Sequence, residues 1–375
     1  MALTVINRRQ LLLAGTAVAV ASPALAQPGR GAGKPVTVAQ VVDTSGAQQD
    51  VSKDILIGSR AAWQDVNAKG GLRGRPVQHV HIETDGSPAS LRAALAQARA
   101  DASCLLLCGT AGDAAATGIT RLMQQENTAM AHVAPWLQNS SIDIDERTFP
   151  IFAARQEQLA HAMKSLTVMS VTEVGAVFAS AREHQLYHED VERTAADLKL
   201  KLRSYKAVDD LNALGRGLGP TSPAILLFIG GTPELVQFTQ GLDKQARQRY
   251  VVALADVNLQ TMLQMGAARN TPVIATQAVP MTSAGLPVVR QYRDTMARLF
   301  DEPPTALSLA GFIAARYAIE VLADADLSSR QGVLAAFQRR TALDVGGYRV
   351  AFDPRRRSAT YVTQSMLTSD GRVVG

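Results

Sequence analysis

The sequence predicts an α/β protein made of two similar lobes with parallel sheets. Three observations carry that reading. Short apolar runs alternate with longer amphipathic stretches, a rhythm that implies parallel βαβ units. The rhythm stops at Phe149-Pro150 and restarts, which gives two successive blocks of similar size. Several runs also empty into small-residue turns that lead directly into a helix, the arrangement at the carboxyl edge of a parallel sheet.

The elements follow in order. Residues 36–42 (VTVAQVV) form an unbroken, largely β-branched run, the pattern of a strand buried on both faces. A helix over 54–69 ends at Gly70-Gly71. A second strand covers 77–82, and Ser87-Pro88 then supplies a capping hydroxyl and a proline at the first helical position for a helix to Asp101. Cys104–Cys108 (CLLLC) is the third strand, 113–126 a helix and 128–133 the fourth strand. The second block reads as helix 156–166, strand 174–179, helix 189–198, strands 200–205 and 224–229, helix 232–246 and strand 250–255. A third stretch holds strand 271–278 and helices 287–300, 306–322 and 329–338. The tail, 347–352 and 359–367, alternates with period two and predicts a hairpin.

Composition narrows the function classes. The 375 residues are 47% hydrophobic and 19% charged, an ordinary globular balance. The formal charge of +5 falls to +3 without Arg8 and Arg9, too weak and too evenly spread for a nucleic-acid binder. The dense run Arg355-Arg356-Arg357 follows Asp353-Pro354 and reads as a solvated turn. At the N-terminus Arg8 and Arg9 precede an apolar stretch from Leu11 to Ala21, then Ser22-Pro23 and the small residues Ala24-Leu25-Ala26. This is the layout of a signal peptide over 1–26, similar to a twin-arginine signal and cleaved near Ala26. It predicts a periplasmic protein that is not membrane-embedded, since the stretch falls short of the ~20 apolar residues a spanning helix needs. Residues 27–35, rich in Gly and Pro, predict a disordered lead-in.

Three strings in this frame resemble a known family. They are VAQVVDTSG (38–46), the span from Gly58 and Trp63 into NAKGGLRGRP (67–76), and AGFIAA (310–315), with the acidic turn Glu83-Thr84-Asp85 after the second strand. Together they resemble the leucine/isoleucine/valine-type periplasmic solute-binding proteins of ABC importers. That resemblance implies two doubly wound, Rossmann-like lobes with parallel central sheets, joined by a three-crossover hinge with crossings near 150, 277 and 345, and a ligand clamped between them. The lobes would be 36–149 plus 278–345 and 150–277 plus 346–375. It further implies a small-molecule ligand, an importer permease as partner, no cofactor, no enzymatic activity and a monomer.

The same resemblance points to site residues. The turn Gly109, Thr110, Ala111, Gly112, Asp113 would hold a ligand's carboxylate, aided by free amides at a helix N-terminus. Asp113-Ala114-Ala115-Ala116 stands where the family carries hydroxyls, and Asp113 is expected to cap the helix. The next turn, Ala134, Pro135, Trp136, would hold main-chain atoms, with Trp136 either stacking on the ligand, sitting over a cation or packing between lobes. From the second lobe Arg155, Tyr187 and Asp256 face the cleft. Asp256 matches the acid that takes a ligand ammonium.

Other chemistry is less well supported. His184 and His188 share a helix face, as metal ligands would, but no third ligand is indicated and an exposed polar helix explains them equally. His79 and His81 alternate on a strand in the same undecided way. Gly215-x-Gly217-x-Gly219 precedes a strand, the wrong order for a dinucleotide loop. Gly230-Gly231-Thr232-Pro233 is explained by a capped turn. Cys104 and Cys108 lie ~13 Å apart along a strand, beyond disulfide reach, and read as buried thiols. The alternatives to an importer receptor are an exported sensing or regulatory domain and, with no coherent catalytic set, an exported enzyme.

Overall fold

A computed structural model describes residues 34–375 except 207, 268–269, 359–360 and 369–370. The expected signal peptide and most of the lead-in lie outside the described residues.

The first half builds β1 (Val36–Asp43), α1 (Gln49–Ala68), β2 (Val77–Thr84), α2 (Pro88–Ala100), β3 (Cys104–Cys108), α3 (Asp113–Gln125), β4 (Ala131–Val133) and β5 (Thr148–Phe149). These strands form one sheet in the order β2-β1-β3-β4-β5, parallel throughout. Next come α4 (Arg155–Val168), β6 (Glu173–Phe178), α5 (Ala181–Asp197), β7 (Lys201–Tyr205), α6 (Leu211–Gly217), β8 (Ile225–Ile229), α7 (Thr232–Leu242), β9 (Tyr250–Ala253), α8 (Leu259–Gln264) and β10 (Val273–Gln277). The chain continues through α9 (Pro287–Leu299), α10 (Ala306–Leu322), α11 (Arg330–Gln338), β11 (Leu343–Val345), β12 (Tyr348–Val350), β13 (Thr363–Leu367) and β14 (Val373–Val374). The second sheet runs β14-β13-β10-β9-β8-β6-β7, parallel except for β13 and β14.

Both sheets are covered on two faces, which is why β1 and β3 are buried from end to end and β3 is wholly apolar. One face of the first sheet packs Val38, Leu106 and Val133 against α1, α10 and α11; the other packs Val41 and Leu107 against Leu91 and Leu95 of α2 and Ile119 of α3. The second sheet meets Leu235 and Phe238 of α7 on one side and Leu159 and Val191 of α4 and α5 on the other. We call each sheet with its helices a lobe. The glycines of two strings from the sequence, Gly58 and Gly311, sit where α1 and α10 cross. A Cβ on Gly58 would stand 1.7 Å from the Ser308 carbonyl oxygen, and one on Gly311 would stand 1.9 Å from that of Ile55. Only glycine lets the two backbones approach so closely.

The chain passes from the first sheet to the second between Phe149 and Arg155 and returns between Gln277 and Pro287. It passes again after β12, whose Tyr348 and Val350 are buried in the first lobe's core. The expected tail hairpin does not form. β12 pairs with β11 across the tight Gly346-Gly347 turn, whereas β13 pairs with β10 in the second sheet. Period two reported strands correctly but could not report their partners. Helices α1 and α5 begin five and eight residues before their expected starts at 54 and 189, because their first turns are polar and carry little apolar periodicity.

A candidate ligand site at the lobe seam

The turn between β3 and α3 is fixed by the first sheet. Asp43 N donates to the Ala111 carbonyl at 3.1 Å and Ala111 N to that of Val41 at 2.9 Å, extending β1–β3 pairing past the strand end. Gly109 and Gly112 take φ of 68° and 91°, and a Cβ on Gly112 would stand 2.7 Å from the Asp43 Cβ. The turn therefore needs glycine for backbone shape and for space. Gly109 N donates to the Val133 carbonyl and its own carbonyl accepts from Gln40 Nε2. Thr110, expected to help hold a ligand's carboxylate, has its hydroxyl 2.8 Å from the buried His132 Nε2. Burial lowers that imidazole's pKa to about 3, so it is neutral.

Asp113 is not the helix cap. Gly112 occupies the cap position, and Asp113 is the first helical residue. Its Oδ1 accepts from the backbone N–H groups of Gln138 and Asn139 at 2.8 and 2.9 Å, and its Oδ2 accepts from the Tyr187 hydroxyl at 3.2 Å. The carboxylate thus does internally what an anionic ligand would otherwise do: it collects amide donors.

Ala134 holds φ 47°, a left-handed conformation uncommon for a residue with a side chain. That kink, followed by Pro135, turns Trp136 N back to the Thr110 carbonyl at 2.8 Å and sends the indole across to the second lobe. Trp136 is 2% exposed, packs on Phe152 with ring centroids 5.4 Å apart, and donates from Nε1 to Asp256 Oδ1 at 2.8 Å. The other Asp256 oxygen pairs with Arg155 Nη2. The Arg155 guanidinium also lies over the Tyr187 ring, 4.3 Å from its centroid.

Five expected site residues, Asp113, Trp136, Arg155, Tyr187 and Asp256, therefore meet as one buried network. Asp113 and Trp136 come from the first lobe, and Arg155, Tyr187 and Asp256 from the second. The fit to electrostatics is consistent. Burial opposes the Arg155 charge, but Asp256, Tyr187 and Asp113 outweigh it and hold the group protonated. Burial raises the Asp113 carboxyl, with Arg155 opposing, and raises the Tyr187 hydroxyl so that it stays a donor. Asp256, expected to receive a ligand ammonium, already has a donor on each oxygen.

Other seam residues were not singled out in the sequence. Gln158 on α4 takes Ala255 N at 2.9 Å and Thr276 Oγ1 at 3.1 Å on Oε1, and its Nε2 reaches the Gln138 side-chain oxygen. Toward the seam's other end Thr232 Oγ1 donates to Asp50 at 2.6 Å, and Asp54 accepts from Asn258 Nδ2 at 2.8 Å and Thr305 Oγ1 at 2.6 Å. Reading α1 as starting at 54 hid Asp50. Thr232, read as a cap, is the first residue of α7 behind Gly231.

His184 and His188 stack with centroids 4.7 Å apart, but among the described residues no three His, Cys, Asp or Glu side chains gather as a metal site would need. Cys104 and Cys108 are both buried, and burial raises both thiols. No helix among the described residues is long and apolar enough to cross a membrane.

Comparison with known proteins places this geometry. Residues 35–367 match the model of the periplasmic binding protein family. No curated protein matches the chain. Among solved structures, an extracellular ligand-binding receptor from Verminephrobacter eiseniae superimposes with a TM-score of 0.82 at 19% identity, over 91% of this chain and 100% of that one. A substrate-binding periplasmic protein from Ralstonia solanacearum gives 0.79 at 21% identity, over 90% and 99%. A fatty acid ABC transporter substrate-binding protein from Thermomonospora curvata gives 0.77 at 14% identity, over 90% of each chain.

Proposed function

Since this chain belongs to the periplasmic binding protein family, with the α/β fold of its type 1 members, we propose that it is an exported receptor of an ABC importer. It binds a small polar molecule between its lobes and delivers it, unchanged, to a membrane permease. The observation that carries the reading is the seam network. Trp136 donates to Asp256 and Tyr187 to Asp113, so the two lobes are joined by direct hydrogen bonds between buried side chains. Such bonds are geometrically exacting and reward one closed arrangement, which a hinged clamp requires.

In this reading the lobes are 36–149 with 278–345 and 150–277 with 346–375, and the signal peptide ends near Ala26. The receptor works as a monomer in the periplasm. Ligand binding favours closure through contacts from Asp113 and Trp136 on one side and Arg155, Tyr187 and Asp256 on the other. The importer role rests on the likeness to transporter-associated proteins such as the Thermomonospora curvata one.

The test is a thermal-shift screen of amino acids, carboxylic acids and small amides against the protein, followed by small-angle scattering. A true ligand raises the melting temperature by mass action and shrinks the radius of gyration. Tyr187→Phe combined with Trp136→Phe should enlarge the radius of the free protein. A ligand that binds without contraction, together with an unchanged radius in the double variant, would remove the clamp.

A further inference from the structure

Where Asp113 and Asp256 meet Arg155 and Gln138, the seam's hydrogen bonds do not balance, and the surplus is of donors. Both oxygens of Asp256 and both of Asp113 have donors: Trp136 Nε1 and Arg155 Nη2 on the first, and Gln138 N, Asn139 N and the Tyr187 hydroxyl on the second. Two side chains beside them carry nitrogens with no partner. Arg155, 4% exposed, leaves Nε and Nη1 unpaired, and Gln138, with no exposed surface, leaves Nε2 unpaired.

The orientation of Gln138 is set by its neighbour. Gln158 accepts from Ala255 N and Thr276 Oγ1, so its Nε2 must donate, to the Ala153 carbonyl at 2.9 Å and to Gln138. Gln138 therefore presents its oxygen to Gln158 and turns its amide nitrogen away. The two residues are adjacent, since Arg155 N donates to the Gln138 carbonyl at 2.9 Å. They also come from opposite sides of the first crossing, so a group that bridges them bears on closure.

A buried donor without an acceptor is costly, and a ligand that supplies one recovers that cost. We infer, building on the receptor reading above, that the ligand's polar head is an acceptor oxygen held by Arg155 and Gln138, and that the ligand carries no ammonium there. An ammonium has only donors to offer, and the two acids at this end of the seam, Asp113 and Asp256, are already paired. The chemical class is a carboxylic acid or its amide with no amino group beside that head, rather than an α-amino acid, whose ammonium would sit next to it.

A matched series on one isobutyl skeleton tests this on the full chain. The probes are 4-methylpentanoate, 4-methylpentanamide, leucine and 3-methylbutylamine, titrated by calorimetry. The acid or the amide should bind at least tenfold more tightly than leucine, with the amine weakest; whichever of the two is tighter identifies the head group. Gln138→Glu keeps the oxygen that Gln158 uses but replaces the free N–H with a second acceptor. It should weaken the preferred probe roughly tenfold or more while the melting temperature of the free protein confirms folding. Tighter binding of leucine or the amine, no binding by the whole series, or an unaffected Gln138→Glu variant would each overturn the inference. Scattering is read separately: binding without contraction defeats the clamp and leaves the head-group assignment intact.

Discussion

Replacing Asp256 by Asn should destabilise the protein by about 3–5 kcal/mol, the cost of leaving one charge of a buried pair without its partner. The structure decides which regime applies. An exposed ion pair contributes only about 0.2–1 kcal/mol, but the Arg155 and Asp256 side chains are 5% and 2% exposed. In the variant the Asn oxygen can still accept from Trp136 Nε1, so the loss is specific to the charge. Arg155 would keep the Tyr187 ring and the more distant attractions of Asp113 and Glu183, with three of its nitrogens then short of a good acceptor. Arg155→Met should cost a similar amount by stranding the carboxylate. The double variant Arg155→Met/Asp256→Asn removes both charges, and its cost should fall short of the sum of the singles by at least about 2 kcal/mol. Urea unfolding followed by tryptophan fluorescence measures all three. Singles that cost less than about 1 kcal/mol, or a double that is additive within about 0.5 kcal/mol, would refute the argument that this pair is buried and coupled.

Three further outcomes are expected. Gly311→Ala drives a Cβ to 1.9 Å from the Ile55 carbonyl oxygen and must spread α1 from α10, costing about 3 kcal/mol or more in urea unfolding, whereas Gly46→Ala meets nothing within 4 Å and should be close to neutral. His132 is buried neutral with its pKa lowered to about 3, so the unfolded chain binds a proton first. Its contribution to stability is complete above pH ~6.5 and declines by about 1.4 kcal/mol per pH unit between there and pH 3; His132→Gln should remove that part of the acid sensitivity in pH-dependent melts. Ala134→Gly relieves a left-handed φ of 47° and should stabilise by up to about 1 kcal/mol, with a loss instead showing that the Ala134 methyl packing outweighs the strain.

Much of the architecture is legible because parallel strands covered on both faces are continuous apolar runs: CLLLC is a strand from Cys104 to Cys108, as expected from sequence. Helix starts are less legible where the first turn is polar, as in QDVSK of α1, and the short α6 and α8 carry too few residues for a period to register. The site divides along the same line. Trp136, Arg155 and Asp256 are near element ends that face the seam, Tyr187 lies within α5, and the family resemblance is what points to all four. Their pairing is another matter, since Trp136–Asp256 and Asp113–Tyr187 join residues 120 and 74 positions apart and depend on how the lobes meet. Gln138 carries no local signal: an unremarkable loop glutamine becomes important only because Gln158, on another element, fixes which way it points.

The third passage between the lobes is also bonded to the seam, through the arginine run that reads in sequence as a solvated turn. Arg356 is partly exposed, but Arg357 is 6% exposed and donates to the carbonyls of Asn139 at 2.7 Å, Leu137 at 3.4 Å and Ile142 at 3.5 Å. It thereby ties the chain's third passage between lobes to the loop that follows Trp136. That same loop offers Gln138 N and Asn139 N to Asp113 and takes Arg155 N on the Gln138 carbonyl. Nearby, Ser358 N donates to the Pro150 carbonyl and the Tyr348 hydroxyl to that of Ile151, linking the third passage to the first. A hinge free to move without these bonds would let the lobes part while leaving Asp113 and Gln138 in place. With them, displacement of the 353–358 segment pulls on the amides that hold Asp113, and so on its bond to Tyr187. If the lobes hinge as proposed, these bonds couple opening to release of the seam, and an Arg357→Ala variant should enlarge the radius of gyration of the free protein in small-angle scattering without touching any residue in the seam.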